Sequence, residues 1–315
     1  MDVKLFLQGA EPVVEGEIRW TTERKGAPGK LEFTLVDDGR VAIQEGDPVR
    51  LTVDGKALFL GYVFRLSGSK DKRMKVLAYD QTRYLKNRDT YVFEEMTAAG
   101  VIRQIALDYG LRLGEIEETG HLIPSRVEEN TTLLDMMQTA LEITLTHTRR
   151  LYVLYDDAGK LTLRDASRMQ AGVLIDEETA EDFEYASSID EKTYNRVKLI
   201  YEDEKSGERQ VFTAQDAANS AQWGTLQYFE TIDDVNGAQN KANMLLSLYN
   251  AKTKTLRIRN ALGHTAVRAG SIVLLRLKVG DITLNNNMIV EKCVHVFSNE
   301  LHLMDLTLYA SKGGL

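Results

Sequence analysis

The sequence predicts an α+β protein that is mainly β, with two similar small antiparallel β-barrel domains, an inserted α+β unit and an additional helix. Three observations support this class: alternating apolar and polar residues at both ends of the chain, a helical period in the middle, and two similar segments far apart. The chain has 315 residues. Single domains usually have about 100 to 200 residues, so more than one packed unit is expected.

Strand patterns fill the first 86 residues. Apolar side chains alternate with polar ones from Val3, from Leu31 and from Val49, and the last of these runs ends at the turn Asp54-Gly55. The runs LFLGYVFRLS and RMKVLAYD follow, separated by GSKDK, which is typical of a hairpin turn. Residues 1–86 are therefore predicted to form the first β-barrel.

The period changes after about residue 87, and residues 87–189 are predicted to form the inserted α+β unit. Thr97 can cap a helix that ends at Gly110, and Thr131 or Thr132 can cap a second, strongly apolar helix. The run LYVLYDDAGKLTLRD then has the alternating arms and the turn residues of a hairpin.

Residues 190–315 are predicted to form the second β-barrel, with a helical insertion at about residues 216–250. Strand patterns resume with YNRVKLIYED and RQVFTAQ, and Val197-Lys198-Leu199 resembles Val3-Lys4-Leu5. A third helix is expected from about Asp234 to Tyr249, because its apolar residues recur every three or four positions.

The segments AIQEGDPVRLTVDG (42–55) and AVRAGSIVLLRLKVG (266–280) resemble each other. Gly46 falls opposite Gly270 and Leu51 opposite Leu275 at one constant separation, and the flanking strand patterns follow in the same order. We infer two copies of one barrel module. The alternative is a chance similarity between two β segments that contain the same kind of turn.

Charge and motifs exclude several classes of function. The net charge of −8 disfavours a protein that coats nucleic acid. No signal peptide or membrane span is expected, and Cys293 has no second cysteine with which to form a disulfide, which favours a reducing compartment. The histidines have no metal-ligand spacing, and the nucleotide and hydrolase motifs are absent. No catalytic, cofactor-binding or metal-binding residue is predicted, and no cofactor.

Two other patterns are ambiguous. The carboxylates of YEDEKSGERQ, which include Glu202, are more typical of a solvated hairpin tip than of a glycosidase pair. Aromatic residues cluster in the sequence near the end of the first barrel, where packing against the inserted unit is the plain explanation and a glycan or peptide surface is the less favoured alternative. They are Tyr79, Tyr84, Tyr91 and Phe93.

The order of elements resembles a known family. A barrel, then AYDQTRYLKNRDTYVF, two capped helices and a hairpin are similar to the baseplate hub proteins of contractile phage tails and phage-tail-like bacteriocins, in the XkdQ/YqbQ-like tail hub family. Ser220, Trp223-Gly224, Leu245-Leu246 and Gly270 look like the pattern that leads into the second barrel of this family. Trp223 stands where the family more often has Tyr.

The resemblance implies a structural function without catalysis. Hub proteins of this class assemble as homotrimers whose duplicated barrels match a sixfold tail tube to a threefold central spike. The implied partners are that spike, the tail tube, the tape-measure protein and the baseplate wedge proteins, with no membrane span and no sequence-specific nucleic acid binding. Assembly is expected in the bacterial cytoplasm, and the product is the baseplate of a virion tail or tail-like particle.

Other classes of function stay open from the residues alone. A tail-associated cell-wall hydrolase would need converging acids or histidines, and Asp80 and His147 are the residues whose mutation would test it. A carbohydrate- or protein-binding module would be a monomer with an aromatic patch. A nucleic-acid-binding barrel is disfavoured by the charge.

Overall fold

The computed structural model describes residues 1–36, 42–68, 70–190, 192–202, 207–232, 234–279, 282–298 and 301–310. The chain forms two compact units. The first contains Met1–Glu184 and Arg257–Leu308, and the second contains Tyr185–Leu256 and the C-terminal end. The protein is mainly β with few helices, as predicted. The predicted domain boundaries at residues 86 and 189 stay predictions.

Six strands at the start of the chain form an antiparallel sheet around one core, and we call them module 1. In the sheet, the order of these strands is β1-β4-β5-β6-β3-β2. Alternation at period 2 accounts for the core, since Leu31, Phe33 and Leu35 are buried while the residues between them are half-buried. The strands are β1 (Val3–Leu7), β2 (Val14–Glu23), β3 (Lys30–Val36), β4 (Pro48–Val53), β5 (Lys56–Gly68) and β6 (Arg73–Tyr79).

The predicted Asp54-Gly55 turn joins β4 to β5. Its two central residues have φ values of 49° and 78°. Positive φ at both positions defines the two-residue turn whose twist suits a hairpin. Val53 pairs with Lys56 across this turn, which sets the start of the hairpin register.

The segment after module 1 contains two helices and short strands. A 3-10 turn over Gln81–Lys86 precedes them. Thr97 accepts a hydrogen bond from the Gly100 N–H, and Thr132 accepts one from the Asp135 N–H, so both predicted caps are confirmed and Thr132 is the second. The elements are β7 (Arg88–Phe93), β8 (Met96–Thr97), α1 (Ala98–Asp108), β9 (Leu113–Ile116), β10 (Leu122–Ile123), β11 (Arg126–Thr132), α2 (Leu133–Thr148), β12 (Tyr152–Asp156) and β13 (Leu161–Asp165).

The two helices and the β12–β13 hairpin share one apolar core. Ile105 of α1 and Met136 of α2 are fully buried in it, together with Leu161 and Leu163 of β13. The predicted hairpin is confirmed by the antiparallel pairing of β12 with β13. We call residues 81–165 the α+β segment.

Two further strands follow, β14 (Gln170–Asp176) and β15 (Asp182–Ser188). They lie within the residues predicted as the α+β unit, but they join strands from the end of the chain. Their alternation is weak, since β15 has only half-buried and exposed residues. Local pattern alone therefore does not reveal their partners.

The second unit has its own sheet and core. Its sheet has the order β17-β16-β18, and Val197 and Leu199 of β16 are buried with Ala242 and Leu245 of α4. The resemblance of Val197-Lys198-Leu199 to β1 therefore does not mark the start of the second module. The elements are β16 (Arg196–Glu202), β17 (Arg209–Gln215), α3 (Ala217–Trp223), β18 (Gln227–Thr231) and α4 (Ala238–Tyr249).

Four strands complete the chain: β19 (Thr253–Leu262), β20 (Ile272–Val279), β21 (Ile282–Ser298) and β22 (Leu301–Ala310). With β14 and β15 they form module 2, whose strand order is β14-β20-β21-β22-β19-β15. Taken in chain order, this arrangement repeats module 1 strand for strand. One pairing differs, since β14 lies parallel to β20 whereas β1 lies antiparallel to β4. Among the described residues, no helix is long and apolar enough to cross a membrane.

Candidate functional site at the junction of the two modules

One pair of strands joins the modules into a continuous sheet. β2 of module 1 pairs antiparallel with β21 of module 2, from Ile18 opposite Phe297 to Glu23 opposite Lys292. Phe297 is buried in the core of module 1. We call this pairing the seam, and its backbone hydrogen bonds and shared core hold the modules edge to edge.

A stack of rings fills the centre of the seam. The ring centroids of Trp20 and His295 are 4.8 Å apart with planes at 16°. His295 is fully buried, and its Nε2 lies 2.8 Å from the Val267 carbonyl oxygen while its Nδ1 lies 2.8 Å from Nε2 of His302. A carbonyl only accepts, so Nε2 of His295 carries the proton and its Nδ1 accepts from His302.

Burial keeps His295, His302 and Cys293 of this seam uncharged at neutral pH. Burial lowers the pKa of His295 to about 3, and the neighbouring His302 acts in the same direction. The pKa of His302 falls to about 4, again mainly through burial. Burial also raises the pKa of the Cys293 thiol, so Cys293 is protonated and behaves as a small apolar side chain.

Ion pairs flank the stack. The guanidinium of Arg24 donates to Glu291 from Nε at 2.9 Å and from Nη2 at 2.6 Å. Lys292 Nζ lies 2.8 Å from Glu23, and Arg19 Nη2 lies 3.8 Å from Asp305. Arg19 lies on β2 and Arg24 directly follows it, whereas Glu291 and Asp305 lie on module 2, so module 1 contributes the arginines of these pairs and module 2 their carboxylates.

The two copies of the repeated turn have the same backbone. Gly46 and Gly270 have φ values of 90° and 92°. Gly46 N donates to Val63 O at 2.8 Å, and Gly270 N donates to Val290 O at 2.7 Å. These matching bonds confirm the repeat that the sequence predicts.

The surroundings of the two turns differ. A Cβ on Gly270 would lie 2.5 Å from Cγ1 of Val153 in the α+β segment, whereas a Cβ on Gly46 would meet nothing within 4 Å. The Ala269 N–H also donates to the Thr22 hydroxyl of β2 at 2.9 Å. The turn of module 2 is thus held by both module 1 and the α+β segment.

Arg268 anchors this turn through charge. Its guanidinium lies 4.0 Å from the ring centroid of Tyr155, and its Nη2 donates to the Asp156 carbonyl oxygen at 2.8 Å. Burial lowers the pKa of Arg268, although the nearby acids oppose this shift. The repeat places the exposed Gln44 at the same position of module 1.

Two buried carboxyl groups face the same junction. Asp80 accepts from the Thr82 N–H at 3.0 Å, and Asp156 accepts from Gln81 Nε2 at 2.7 Å. Burial raises the pKa of Asp80 to about 7, with a further contribution from Asp156. Burial also raises the pKa of Asp156. The sequence points to Asp80 as a residue to mutate but does not pair it with Asp156, since only long-range contacts bring the two together.

The residues considered for catalysis do not form one site. Asp80 is buried at the start of the 3-10 turn, whereas His147 stacks on His121 with centroids 4.2 Å apart. Glu202 pairs with Arg209 at the end of β16, and its sequence neighbours Asp203 and Glu204 lie outside the described residues. No group of three potential metal ligands occurs in the described part of the chain.

The predicted aromatic cluster divides into two groups. Tyr79 and Tyr84 contact Phe64 of β5, with centroid distances of 5.4 and 5.9 Å. Tyr91 stacks on Phe93 in the α+β segment at 5.2 Å. The first group lies on module 1 and the second contributes to the helical core, so neither is a single exposed platform.

Similarity to known proteins follows this architecture. A family model described as YQBQ-like matches residues 18–309. The chain belongs to the YqbQ-like family. It is 32% identical over 298 residues to the phage-like element PBSX protein XkdQ of Bacillus subtilis, which covers 90% of this chain and 88% of the relative.

Solved structures share the fold over almost the whole chain. A tail protein of prophage MuSo2 from Shewanella oneidensis matches 98% of this chain and 98% of its own, with a TM-score of 0.72 and 12% identity. The E. coli c3393 protein, a type VI secretion component described as similar to the T4 tail proteins gp27 and gp5, matches 99% of this chain and 78% of its own, with a TM-score of 0.58 and 11% identity. This chain therefore shares its fold with these two proteins.

Proposed function

We propose that this protein is the structural hub of a phage-tail or tail-like baseplate and forms a trimeric ring that adapts a sixfold tube to a threefold spike. The observation that carries the proposal is the duplicated module, with both copies joined edge to edge by the seam. A chain that holds two equivalent modules needs only three copies to present six.

The seam has the geometry from which rings are built. Module 1 contributes its β2 edge and module 2 contributes the different strand β21, so the contact is head to tail. Head-to-tail contacts continue from unit to unit and close when the rotation per unit fits a whole turn. A contact in which both modules used the same edge would have joined only two modules.

The relatives agree with a function of this kind. The MuSo2 relative is a prophage tail protein, and the E. coli relative is described as similar to the T4 tail proteins gp27 and gp5. By analogy, the partners of this ring are a central spike protein, a tail tube, a tape-measure protein and baseplate wedge proteins. Assembly in the bacterial cytoplasm before particle release fits the single reduced cysteine.

The first experiment measures mass in solution. Light scattering on the purified chain over a concentration series should give three times the 35.5 kDa of one chain, and a larger mass when a spike protein is added and binds. The ring closes through contacts between copies, so the trimer fraction should rise with concentration. A monomer under every condition would overturn the proposal.

A further inference from the structure

The repeat provides a second pair of strand edges equivalent to the seam. In strand order, β15 of module 2 corresponds to β2, and β5 of module 1 corresponds to β21. β15 ends the sheet, and residues Arg65–Gly68 of β5 pair with β6 but not with β4, whose pairing stops at Tyr62. Within the described residues, both edges therefore lack the neighbour that the seam provides.

Cross-strand contacts fix which residue of β15 occupies the place of Arg19. Leu256 of β19 corresponds to Leu31, so Arg257 corresponds to Glu32, which pairs with Arg19. Arg257 Nη1 lies 3.7 Å from Glu184 Oε2, and three residues further along β19 Asn260 contacts Glu181, which directly precedes β15. Glu184 therefore takes the position of Arg19, and Phe183 takes that of the buried Ile18.

The same comparison identifies the residue opposite. Tyr79 and Tyr309 end the corresponding runs KVLAY and DLTLY of β6 and β22, so Lys75 corresponds to Asp305. In the seam, Arg19 of module 1 faces Asp305 of module 2. The equivalent pair is Glu184 with Lys75, in which both charges are exchanged.

We propose that β15 of one copy pairs antiparallel with Arg65–Gly68 of β5 in a second copy, and that Glu184 faces Lys75 of that copy. This inference rests on the proposed ring and names the contact that closes it. Backbone hydrogen bonds supply the ladder, and Phe183 enters the module core as Ile18 does in the seam. Phe183 is half-buried in the single chain, whereas Ile18 is 8% exposed.

Charge in the flanking sequence matches this pairing. The run DEETAEDFE at residues 176–184 carries six carboxylates. The β5–β6 hairpin carries the basic residues Arg65, Lys70, Lys72, Arg73 and Lys75 against a single Asp71. Complementary charge of this kind speeds association and selects one partner over another.

Open space is present where the carboxylate of Glu184 would lie. A groove of about 400 Å³ on module 1 is lined by Arg65, Ser67 and Lys75, together with Arg19 and the carboxylates of Glu15, Glu17 and Glu32. Arg65, Ser67 and Lys75 are exposed in the single chain. Arg65 of β5 and Lys75 of β6 are the cations that an incoming Glu184 carboxylate would meet in this groove.

The polarity of the new contact is opposite to that of the seam. In the seam the β2 edge brings arginines to carboxylates, whereas here the β15 edge brings carboxylates to lysine and arginine. An exchange of partners would set like charges against each other, with Arg19 against Lys75 or Glu184 against Asp305. This repulsion fixes the alternation of module 1 and module 2 around the ring.

The test exchanges the charges of Glu184 and Lys75 and measures the mass of the assembly in solution. Glu184→Lys and Lys75→Glu alone should each raise the concentration at which half the chains are trimeric by about fivefold or more, since like charges would meet at every contact between copies. The double variant Glu184→Lys with Lys75→Glu should return this concentration to within about twofold of the original, because the pair is restored with its charges exchanged.

Controls separate this contact from general effects of charge. Glu129→Lys and Lys160→Glu make the same changes at exposed positions of the α+β segment and should leave the trimer concentration unchanged. Circular dichroism and urea unfolding of each variant at low concentration check that the monomer is folded, since Glu184 also lies near Arg257 of its own chain.

The outcomes distinguish the contact from the ring. A trimer that forms equally well in both single variants, or that the double variant fails to restore, overturns the β15–β5 pairing and leaves the hub proposal intact. An original chain that is monomeric alone and with the spike overturns both. Loss in each single variant with recovery in the double variant supports the pairing.

Discussion

The two copies of the repeated turn have one backbone and two environments. Gly46 and Gly270 share their φ value and their hydrogen-bond pattern, yet Gly46 faces open space whereas Gly270 lies against Val153. The exposed Gln44 and the half-buried Arg268 occupy the same place in these turns. The repeated sequence therefore determines the backbone of the turn, whereas the contacts of each copy determine which side chains can be tolerated.

The largest expected difference concerns the glycines. Gly46→Ala should lower the free energy of unfolding of the first unit by about 1 to 2 kcal/mol, because alanine disfavours positive φ. Gly270→Ala should cost about 1 to 3 kcal/mol more, because the new methyl group would overlap Val153. Urea unfolding followed by Trp20 fluorescence in a Trp223→Phe background reports on the first unit alone. Equal losses in both variants would contradict the difference in packing.

A second effect, which depends on pH, concerns the buried acid Asp80. The folded pKa of Asp80 is about 7, above the ordinary value of about 3.9, so the folded state binds the proton more tightly than the unfolded state. Stability from this group is therefore lost as pH rises from about 4 to about 7, by up to about 1.4 kcal/mol per pH unit.

Asp80→Asn should remove this loss, because the amide stays neutral and its oxygen can still accept from Thr82. Unfolding free energies measured at pH 5 and pH 7 should then differ less in the variant than in the original chain. Asp71→Asn, at an exposed position, is the matched control. An unchanged difference between the two pH values would show that Asp80 does not titrate in this range.

The smallest expected effect is the loss of one side-chain hydrogen-bond acceptor, which should be similar in the two repeated turns. Asp47 Oδ2 accepts from the Gln44 N–H at 2.8 Å, and Ser271 Oγ accepts from the Arg268 N–H at 3.1 Å. Asp47→Ala and Ser271→Ala should each cost about 1 to 2 kcal/mol, since each leaves a turn N–H without its acceptor. The same fluorescence assay measures both. A negligible loss at either turn would show that the repeat does not extend to side-chain function.

Local pattern predicted much of module 1 and both helix caps. The alternation of β3, the Asp54-Gly55 turn and the threonine caps depend on neighbouring residues, which a sequence displays directly. Gly46 and Gly270 could also be matched from the sequence, because a positive φ restricts the residue type at both positions.

Local pattern did not predict which strands form module 2. β14 pairs with β20 and β15 pairs with β19, although the partners lie far apart in the sequence. The residues of β14 and β15 show no local pattern that identifies these partners. Arg268 had one available signal, since the repeat aligned it with an ordinary surface Gln44. A charged residue that replaces a neutral one in an otherwise faithful repeat marks a position with a new contact.

The connection between the second and third strands differs greatly in length between the two modules. In module 1, residues 24–29 join β2 to β3, whereas in module 2 residues 189–252 join β15 to β19. Loop-closure entropy grows slowly with length, and the inserted unit has its own core of Val197, Leu199 and Leu245, so the longer connection adds little cost. An insertion at this position can therefore change in length or sequence while the strand order of module 2 stays the same.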